Sequence, residues 1–310
     1  MQLTWSKIAL ALGFVASSAA FNVAQAETLV AINSANQIGV FDSSNVESAS
    51  FVGITGLAMG ESFVGIDLRP SNNTIYGISS ASKIYTVDAY TGAASFVSAL
   101  SGYTINSSLG YGIDFNPILD RTANASLRVV TTAGDNLAVN ANTGVVATQV
   151  PLKTTVNGMQ TNVVATGFTS VAYNNSDPTQ SVAPADIDLY YLNFETDTQS
   201  EALAAFNNPR IDLIGEIAID ILSAGGFEIF SRNGENTGFA AVNIEKNKKF
   251  ESLFLGIDLE TGAGTKLGKF KFDGMVTGLT SAPSAVPVPA AAWLFGSALI
   301  GFASFRRKSV

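Results

Sequence analysis

Three acidic residues share a local pattern. Asp67 ends Val64-Gly65-Ile66-Asp67, Asp114 ends Tyr111-Gly112-Ile113-Asp114, and Glu228 ends Gly225-Gly226-Phe227-Glu228. Gly65, Asp67 and Pro70 recur 47 residues later as Gly112, Asp114 and Pro117. If the repeats surround one axis, these carboxylates converge, and converging carboxylates can hold a hard divalent cation such as Ca²⁺ or Mg²⁺. The competing role is local: each Asp caps the turn into the Pro-containing loop that follows it. The sequence favours that second role. Arg69 with Asp120-Arg121 likewise reads as a structural ion pair before a ligand clamp. No catalytic residue and no cofactor other than that cation is assigned.

Much chemistry is excluded outright. The 310 residues contain no Cys and no His, which removes thiolate nucleophiles, zinc sites with N/S ligands and every His-based triad. Nucleophile-elbow, Walker A, dinucleotide and EF-hand patterns are absent from the sequence. The formal charge is −8, from 17 basic and 25 acidic residues, and four of the basic residues lie at the ends. A nucleic-acid partner, which needs a basic face to release counterions, is therefore not expected.

Repeated elements must position those acids. Charged residues make up 14% of the chain, against roughly 25% in ordinary domains, and small and turn-forming residues take their place. An Asp/Asn-x-x-Thr-Gly turn lies between alternating apolar runs at Asp88, Asn140 and Asp258. Weaker copies stand at Asn193, where Asp197 replaces the Gly, and at Asp42. An Asp or Asn side chain can bind the backbone ahead of it, and Gly supplies the positive φ of a short hairpin loop. Flanking period-two runs predict half-buried strands, four to a unit: ESFVGID, TIYGIS, KIYTVD and AASFVSAL in the second unit. Tandem four-stranded units of this length predict an all-β, β-propeller-like closed domain of about five blades. The first unit lacks its innermost strand, and KFDGMVTGLTSA (271–282) is predicted to supply it. Six blades, a sandwich or a solenoid are the competing architectures. Short helices are conceivable only at 200–206 and 217–224.

The two ends read as addresses. Residues 1–26 form a signal peptide, predicted as a helix: Lys7, an apolar stretch, and then Ala24-Gln25-Ala26, with cleavage before Glu27. Residues 27–282 form the propeller-like domain. Residues 283–310 carry a linker, the motif Val286-Pro287-Val288-Pro289-Ala290, an apolar run from Ala290 to Phe305, and Arg306-Arg307-Lys308. That run predicts a transmembrane helix of about 24 Å, with the basic cluster stopping transfer on the cytoplasmic side.

The order of motif, apolar segment and basic tail resembles the PEP-CTERM sorting signals of bacteria, in their VPxPA variant. That resemblance implies a Gram-negative envelope, handling by an exosortase-type sorting enzyme, and an association with exopolysaccharide. The segments GLAMGESFVGIDLRP, IYTVDAYTG and GIDFNPILDR resemble a secreted bacterial family known only as a domain of unknown function. The similarity runs from about Thr28 to Lys271. The chain departs from that family at Thr122 to Ser126, which precede Leu127-Arg128-Val129, and at Ala138, where the family usually carries Arg. The expected function is an exported envelope or matrix protein, a non-enzymatic binding propeller for polysaccharide or surface proteins. A metal-dependent hydrolase of the propeller lactonase type and a purely structural matrix component are the alternatives.

Overall fold

A computed structural model describes residues 26–156, 159–202, 210–272 and 274–284 of the chain. The first strands are β1 (Thr28–Asn33), β2 (Gln37–Asp42) and β3 (Asn45–Gly53). β4 (Phe63–Arg69), β5 (Thr74–Ser79), β6 (Lys83–Val87) and β7 (Ala94–Ala99) make the second unit, with the strand division expected from the sequence. The third is β8 (Tyr111–Phe115), β9 (Ser126–Thr131), β10 (Asn136–Asn140) and β11 (Val146–Thr148). A separate hairpin, β12 (Lys153–Val156) and β13 (Met159–Val164), follows. The fourth unit is β14 (Phe168–Tyr173), β15 (Leu189–Asn193), β16 (Thr198–Ala202) and β17 (Ile211–Glu216). The fifth is β18 (Ser223–Arg232), β19 (Glu235–Lys246), β20 (Lys249–Ile257) and β21 (Gly264–Lys269), and β22 (Val276–Ser281) ends the domain.

These strands form five four-stranded antiparallel sheets, the blades of a propeller. β22 pairs with β1 from Leu29↔Ser281 to Ile32↔Gly278, so the last strand is the innermost strand of the first blade. The missing strand is supplied as expected, and both chain ends are locked into one sheet. The innermost strands β22, β4, β8, β14 and β18 therefore come from five different blades.

Inner and middle strands are buried on both faces, which explains runs such as TLVAIN and FTSVAY that lack clean alternation. Outer strands such as β7 and β21 contain no buried residue. An apolar layer fills each gap between successive blades. Ile66, Ile75 and Val30 lie between the first two, and Ile113, Leu127 and Tyr76 between the next. The layer between the fifth and first blades is aromatic: Phe41, Phe254 and Phe270 meet edge to face at 5.2–6.2 Å.

The Thr-Gly turns fasten blade to blade. Asp88 Oδ1 accepts the N–H groups of Tyr90 and Thr91 at 2.9 and 2.8 Å, and Asn140 and Asp258 repeat the arrangement. The Gly92 carbonyl then accepts the N–H of Thr55, just past the outer strand of the preceding blade, and Thr55 accepts from Ala94. Ser101 is held in the same way by Gly144 and Val146. A Cβ on Gly144, whose φ is +76°, would lie 1.9 Å from the Ala99 carbonyl oxygen. Glycine is required there both for its φ and for the close approach.

Several expectations change. The Asn193 turn has the same chemistry, with Asn193 Oδ1 accepting from Glu195 and Thr196 and Asp197 at φ 52°. It joins the second and third strands of its blade, however, whereas the Asp88, Asn140 and Asp258 turns join the third and fourth. That displacement, and the long β19 and β20, account for the 65-residue gap before Asp258. No sixth blade lies there among the described residues. An additional element lies instead between the Asn140 and Asn193 turns: the β12–β13 hairpin, which extends the fourth blade through the Lys153↔Arg210 bridge and a Thr155 hydroxyl bond to the Ile211 carbonyl. The short helices do not form where described: 200–202 belong to β16, 217–222 are irregular, and 223–224 open β18. Packing explains this, because Ile217 and Ile221 enter the apolar layer against the fifth blade, and the backbone of 200–202 and 223–224 pairs with β15 and β19. Residues 203–206, the signal helix and the C-terminal transmembrane helix fall outside the described residues. Among the described residues no helix is long and apolar enough to cross a membrane.

Candidate functional site

The innermost strand of a propeller has a sheet partner on one side only, so N–H groups facing the axis need other acceptors. Here side chains supply them from strand to strand. Thr280 Oγ1 on β22 accepts the N–H of Leu68 on β4 at 2.8 Å. Asp67 Oδ2 accepts the N–H of Phe115 on β8 at 2.7 Å, and Asp114 Oδ1 that of Tyr173 on β14 at 3.2 Å. Glu228 on β18 receives the hydroxyl of Ser281 at 2.5 Å and the Ser281 N–H. In each case the acceptor binds the residue that follows its own equivalent on the next strand. The five equivalent positions are Thr280, Asp67, Asp114, Ala172 and Glu228, and only Ala172 has no acceptor to offer.

Of the two roles read from the sequence, the cap on each Asp's own following turn is not found, because the unpaired N–H groups of the neighbouring inner strand take the carboxylates instead, while the convergence is found. One oxygen from each of Asp67, Asp114 and Glu228 lies within 4.8 Å of the other two. All three are buried. Burial, followed by the Glu228 charge, pushes the Asp67 carboxyl well above its usual range, and Asp114 rises through burial and both neighbours. Glu228 is pushed up to about 7 by burial, against the hydrogen bonds from Ser281 and Thr280. Three anions this close in a dry interior demand neutralisation, by retained protons or by a cation.

Arg69 does not serve. Its Nε bonds Asp120 Oδ1 at 2.5 Å, its Nη1 bonds Asn142 at 2.7 Å, and its guanidinium lies over Tyr76 and Phe115 at 5.4 and 5.6 Å. The Arg69–Asp120 pair is a structural tie between the second and third blades, as the sequence favoured. Arg121 reaches instead to the Asp177 carbonyl. Arg128, which follows the inserted Thr122 to Ser126 stretch, is buried on Asn136 and Tyr173.

Above the acids the channel narrows. Backbone of Gly65, Gly112, Gly225, Gly226 and Gly278 leaves only about 10 Å³, on the scale of a single water. Beyond this throat, at the end where the inner strands begin, the channel widens into a recess of about 550 Å³. Every blade contributes to it: Phe63, Tyr111, Thr169, Phe194, Asn243 and Met275 are among its walls. The lining is largely apolar. Thr169 Oγ1 in the recess and Ser170 Oγ at the throat have no hydrogen-bond partner.

The sequence located the three acids but not Thr280, Ser281 or the recess. Thr280 was legible, since Gly278-Leu279-Thr280 matches Gly65-Ile66-Asp67 once the last strand is aligned with the inner strands. The recess is assembled from the starts of the inner strands and the loops beside them, which differ in residue type from blade to blade, so no local signal marks it. Of the terminal residues, Ala26 and Glu27 enter the first blade, where the Glu27 N–H donates to Ser43 Oγ at 2.9 Å. Ala24, Val286 to Ala290, Arg306, Arg307 and Lys308 lie outside the described residues.

The fold and site define a five-bladed propeller with a carboxylate-bearing channel. The chain belongs to the family described as Domain of unknown function (DUF4394), whose model matches residues 37–280. No curated protein matches the sequence. Among solved structures, it is similar to the computationally designed Ika8 protein, with 12% identity and a TM-score of 0.30, over 82% of this chain and 63% of that one. The chain thus spans less than two thirds of the designed protein's length. YCF48 bound to D1 peptide is similar at 8% identity and a TM-score of 0.36, over 82% and 86% of the two chains.

Proposed function

We propose that this protein is an exported, non-enzymatic binding propeller of the bacterial envelope or matrix, which takes polysaccharide or a surface protein at its axial recess. The recess carries the reading: all five blades build it, and it holds an unpartnered Thr169 hydroxyl. It opens at the end of the channel opposite Ser284, whose N–H and carbonyl are tied to Asn73 in the β4–β5 turn. A chain held at the membrane by its C-terminal segment would present the recess outward. Signal cleavage before Glu27, sorting at Val286 to Ala290 by an exosortase-type enzyme, and transfer arrest by Arg306, Arg307 and Lys308 complete the proposal. Mass spectrometry of envelope protein tests the processing, and a Phe302 to Val310 peptide recovered at full stoichiometry would reject it. A screen of glycans and surface proteins against wild type and Leu109→Trp, which fills the recess, tests binding. Ligands held equally by both would exclude the recess.

The hydrolase alternative finds less support, because the throat keeps a lactone or sugar from the only converging carboxylates among the described residues. A second reading concerns those carboxylates. Asp67, Asp114 and Glu228 would hold Ca²⁺ or Mg²⁺, a role supported by three oxygens lying within 4.8 Å of one another. Ca²⁺ should then raise the melting temperature by binding the folded state alone, and Asp114→Asn should remove most of the increment. Equal melting temperatures in calcium and in chelator would reject the ion. A propeller that binds neither ligand nor ion would leave the purely structural role.

A further inference from the structure

The cations of this acidic chain are unevenly placed. Of its ten lysines, six lie between residues 246 and 271: Lys246, Lys248, Lys249, Lys266, Lys269 and Lys271. Register brings them together. Lys246 pairs with Lys249 at the tip of the β19–β20 hairpin, and Lys266 and Lys269 lie on the adjoining β21. β21 packs beside β3, the outer strand of the first blade. Here Lys269 bonds Glu251 at 2.9 Å and Lys271 bonds Glu47 at 2.6 Å. Lys246 and Lys266 also help to hold the Glu251 carboxyl below its usual range. Beside the hairpin tip runs a groove of about 480 Å³ whose walls include Phe250, Glu251, Lys269, Phe270, Lys271 and Phe272. Phe250 is 61% exposed.

We infer that this rim, between the fifth and first blades, is a docking groove for a polysaccharide bearing carboxylates, of the polyuronate class. The inference rests on the binding reading above and names its partner. An exposed aromatic ring offers a flat face to the C–H faces of a sugar ring, and neighbouring lysines offer compact charges to its carboxylates. A neutral glycan would make no use of the lysines at the hairpin tip, whereas Lys269 and Lys271 are already paired with Glu251 and Glu47. A nucleic-acid backbone is disfavoured by the chain's formal charge of −8, which leaves no extended basic face for counterion release. A bilayer fits less well, because the lysine-bearing hairpin points to the recess end and the chain leaves at the other. Asn243, which pairs with Ser223 across β18 and β19, lines the recess only three residues before Lys246.

The test is affinity electrophoresis of the full-length chain in detergent, through polygalacturonate and through uncharged dextran. Wild type should be retarded by polygalacturonate alone, and 0.5 M salt should abolish the effect, roughly as screening within a few ångströms requires. Lys246→Gln/Lys248→Gln/Lys249→Gln and Phe250→Ser should each weaken retardation about tenfold or more. Both changes lie at an exposed hairpin tip, so unchanged melting temperatures would show that the fold is kept. Retardation unchanged in both variants would overturn the rim. So would stronger binding to single-stranded DNA, or flotation with phosphatidylglycerol vesicles but not phosphatidylcholine vesicles. If Leu109→Trp abolishes glycan binding while the rim variants keep it, the rim proposal falls and the recess reading stands. If wild type binds no glycan or surface protein at all, both fall.

Discussion

Neighbouring blades are joined both at the rim and at the axis. At the rim, the Asp88, Asn140 and Asp258 turns use backbone bonds, a glycine and an exposed Asx cap, with nearly the same residues each time. At the axis, Thr280, Asp67, Asp114, Ala172 and Glu228 occupy equivalent positions with four different residue types. The rim turn is a local device that must satisfy only itself and one carbonyl, so one short motif serves it repeatedly. The axial ring is non-local: each member faces every other across the channel, so repetition of one acid would multiply buried charge. Thr280 and Ala172 limit the accumulation to three carboxylates. Even three are more than hydrogen bonding to backbone requires, because Thr280 shows that a hydroxyl binds the next strand as well.

The largest effect should come from breaking the rim where it cannot yield. Gly144→Val would place a Cβ 1.9 Å from the Ala99 oxygen at a φ of +76°. The backbone of either blade must shift, at a cost of about 3 kcal/mol or more. Loss of the cooperative melting transition is expected. A midpoint within a degree or two of wild type would show that the clasp is dispensable.

The axis should respond to pH. Carboxyls raised in the folded protein favour folding fully below the unfolded value near 4.5, and lose that contribution as pH rises through about 7 for Glu228. Glu228 alone corresponds to roughly 3 kcal/mol over that range at about 1.4 kcal/mol per unit. In chelator the protein should therefore be more stable at pH 5 than at pH 8. Asp88 and Asp258 have lowered values through backbone N–H donors, so their contribution is lost only in stronger acid. Ca²⁺ bound by the three carboxylates should reduce the difference between pH 5 and pH 8. Denaturant midpoints that stay constant from pH 5 to 8 in chelator would mean that the acids are already ionised and neutralised by other means.

Asp114→Asn sharpens the same point with a smaller effect. The Asn carbonyl oxygen can still accept the Tyr173 N–H, while one buried negative charge disappears. In chelator at pH 8 the variant should be more stable than wild type, by about 1–2 kcal/mol, and its pH slope should be shallower. Urea midpoints at pH 5 and pH 8 measure both. A variant less stable at pH 8 would assign the carboxylate a stabilising partner that the ring does not contain.

How much could be read in advance follows the same division. Rim turns, strand division and the closing strand were visible because period-two runs and Asp-x-x-Thr-Gly are contiguous in sequence. The Asn193 turn misled because an Asx turn with a positive-φ residue serves any hairpin, and its chemistry does not say which two strands it joins. The acids were visible through a 47-residue echo, and their separation from Arg69 followed once Asp120 was recognised as its partner. The aligned Thr280 needed the last strand to be placed first. The recess and the lysine rim needed the blades assembled, since Tyr111, Thr169 and Met275, or Glu47 and Lys271, meet only in three dimensions.

The smallest expected effect isolates the cap of a rim turn from its glycine. Asp258 Oδ1 accepts two N–H groups, from Glu260 and Thr261, at 2.9 and 3.0 Å. Asp258→Ala leaves both donors near solvent, where water replaces the lost acceptor, so the cost should be only about 1 kcal/mol. Asp258→Asn keeps the acceptor, as Asn140 does in the third blade, and should stay within roughly 0.5 kcal/mol of wild type. Because the carboxylate is favoured by its N–H donors, the gap between Asp and Asn should close as pH falls below about 4. Paired urea melts at pH 7 and at about pH 2.5, below the ordinary Asp value, read this directly. If Asn costs as much as Ala at pH 7, the charge and not the cap holds the turn, and the rim would then share with the axis a dependence on ionised carboxylates.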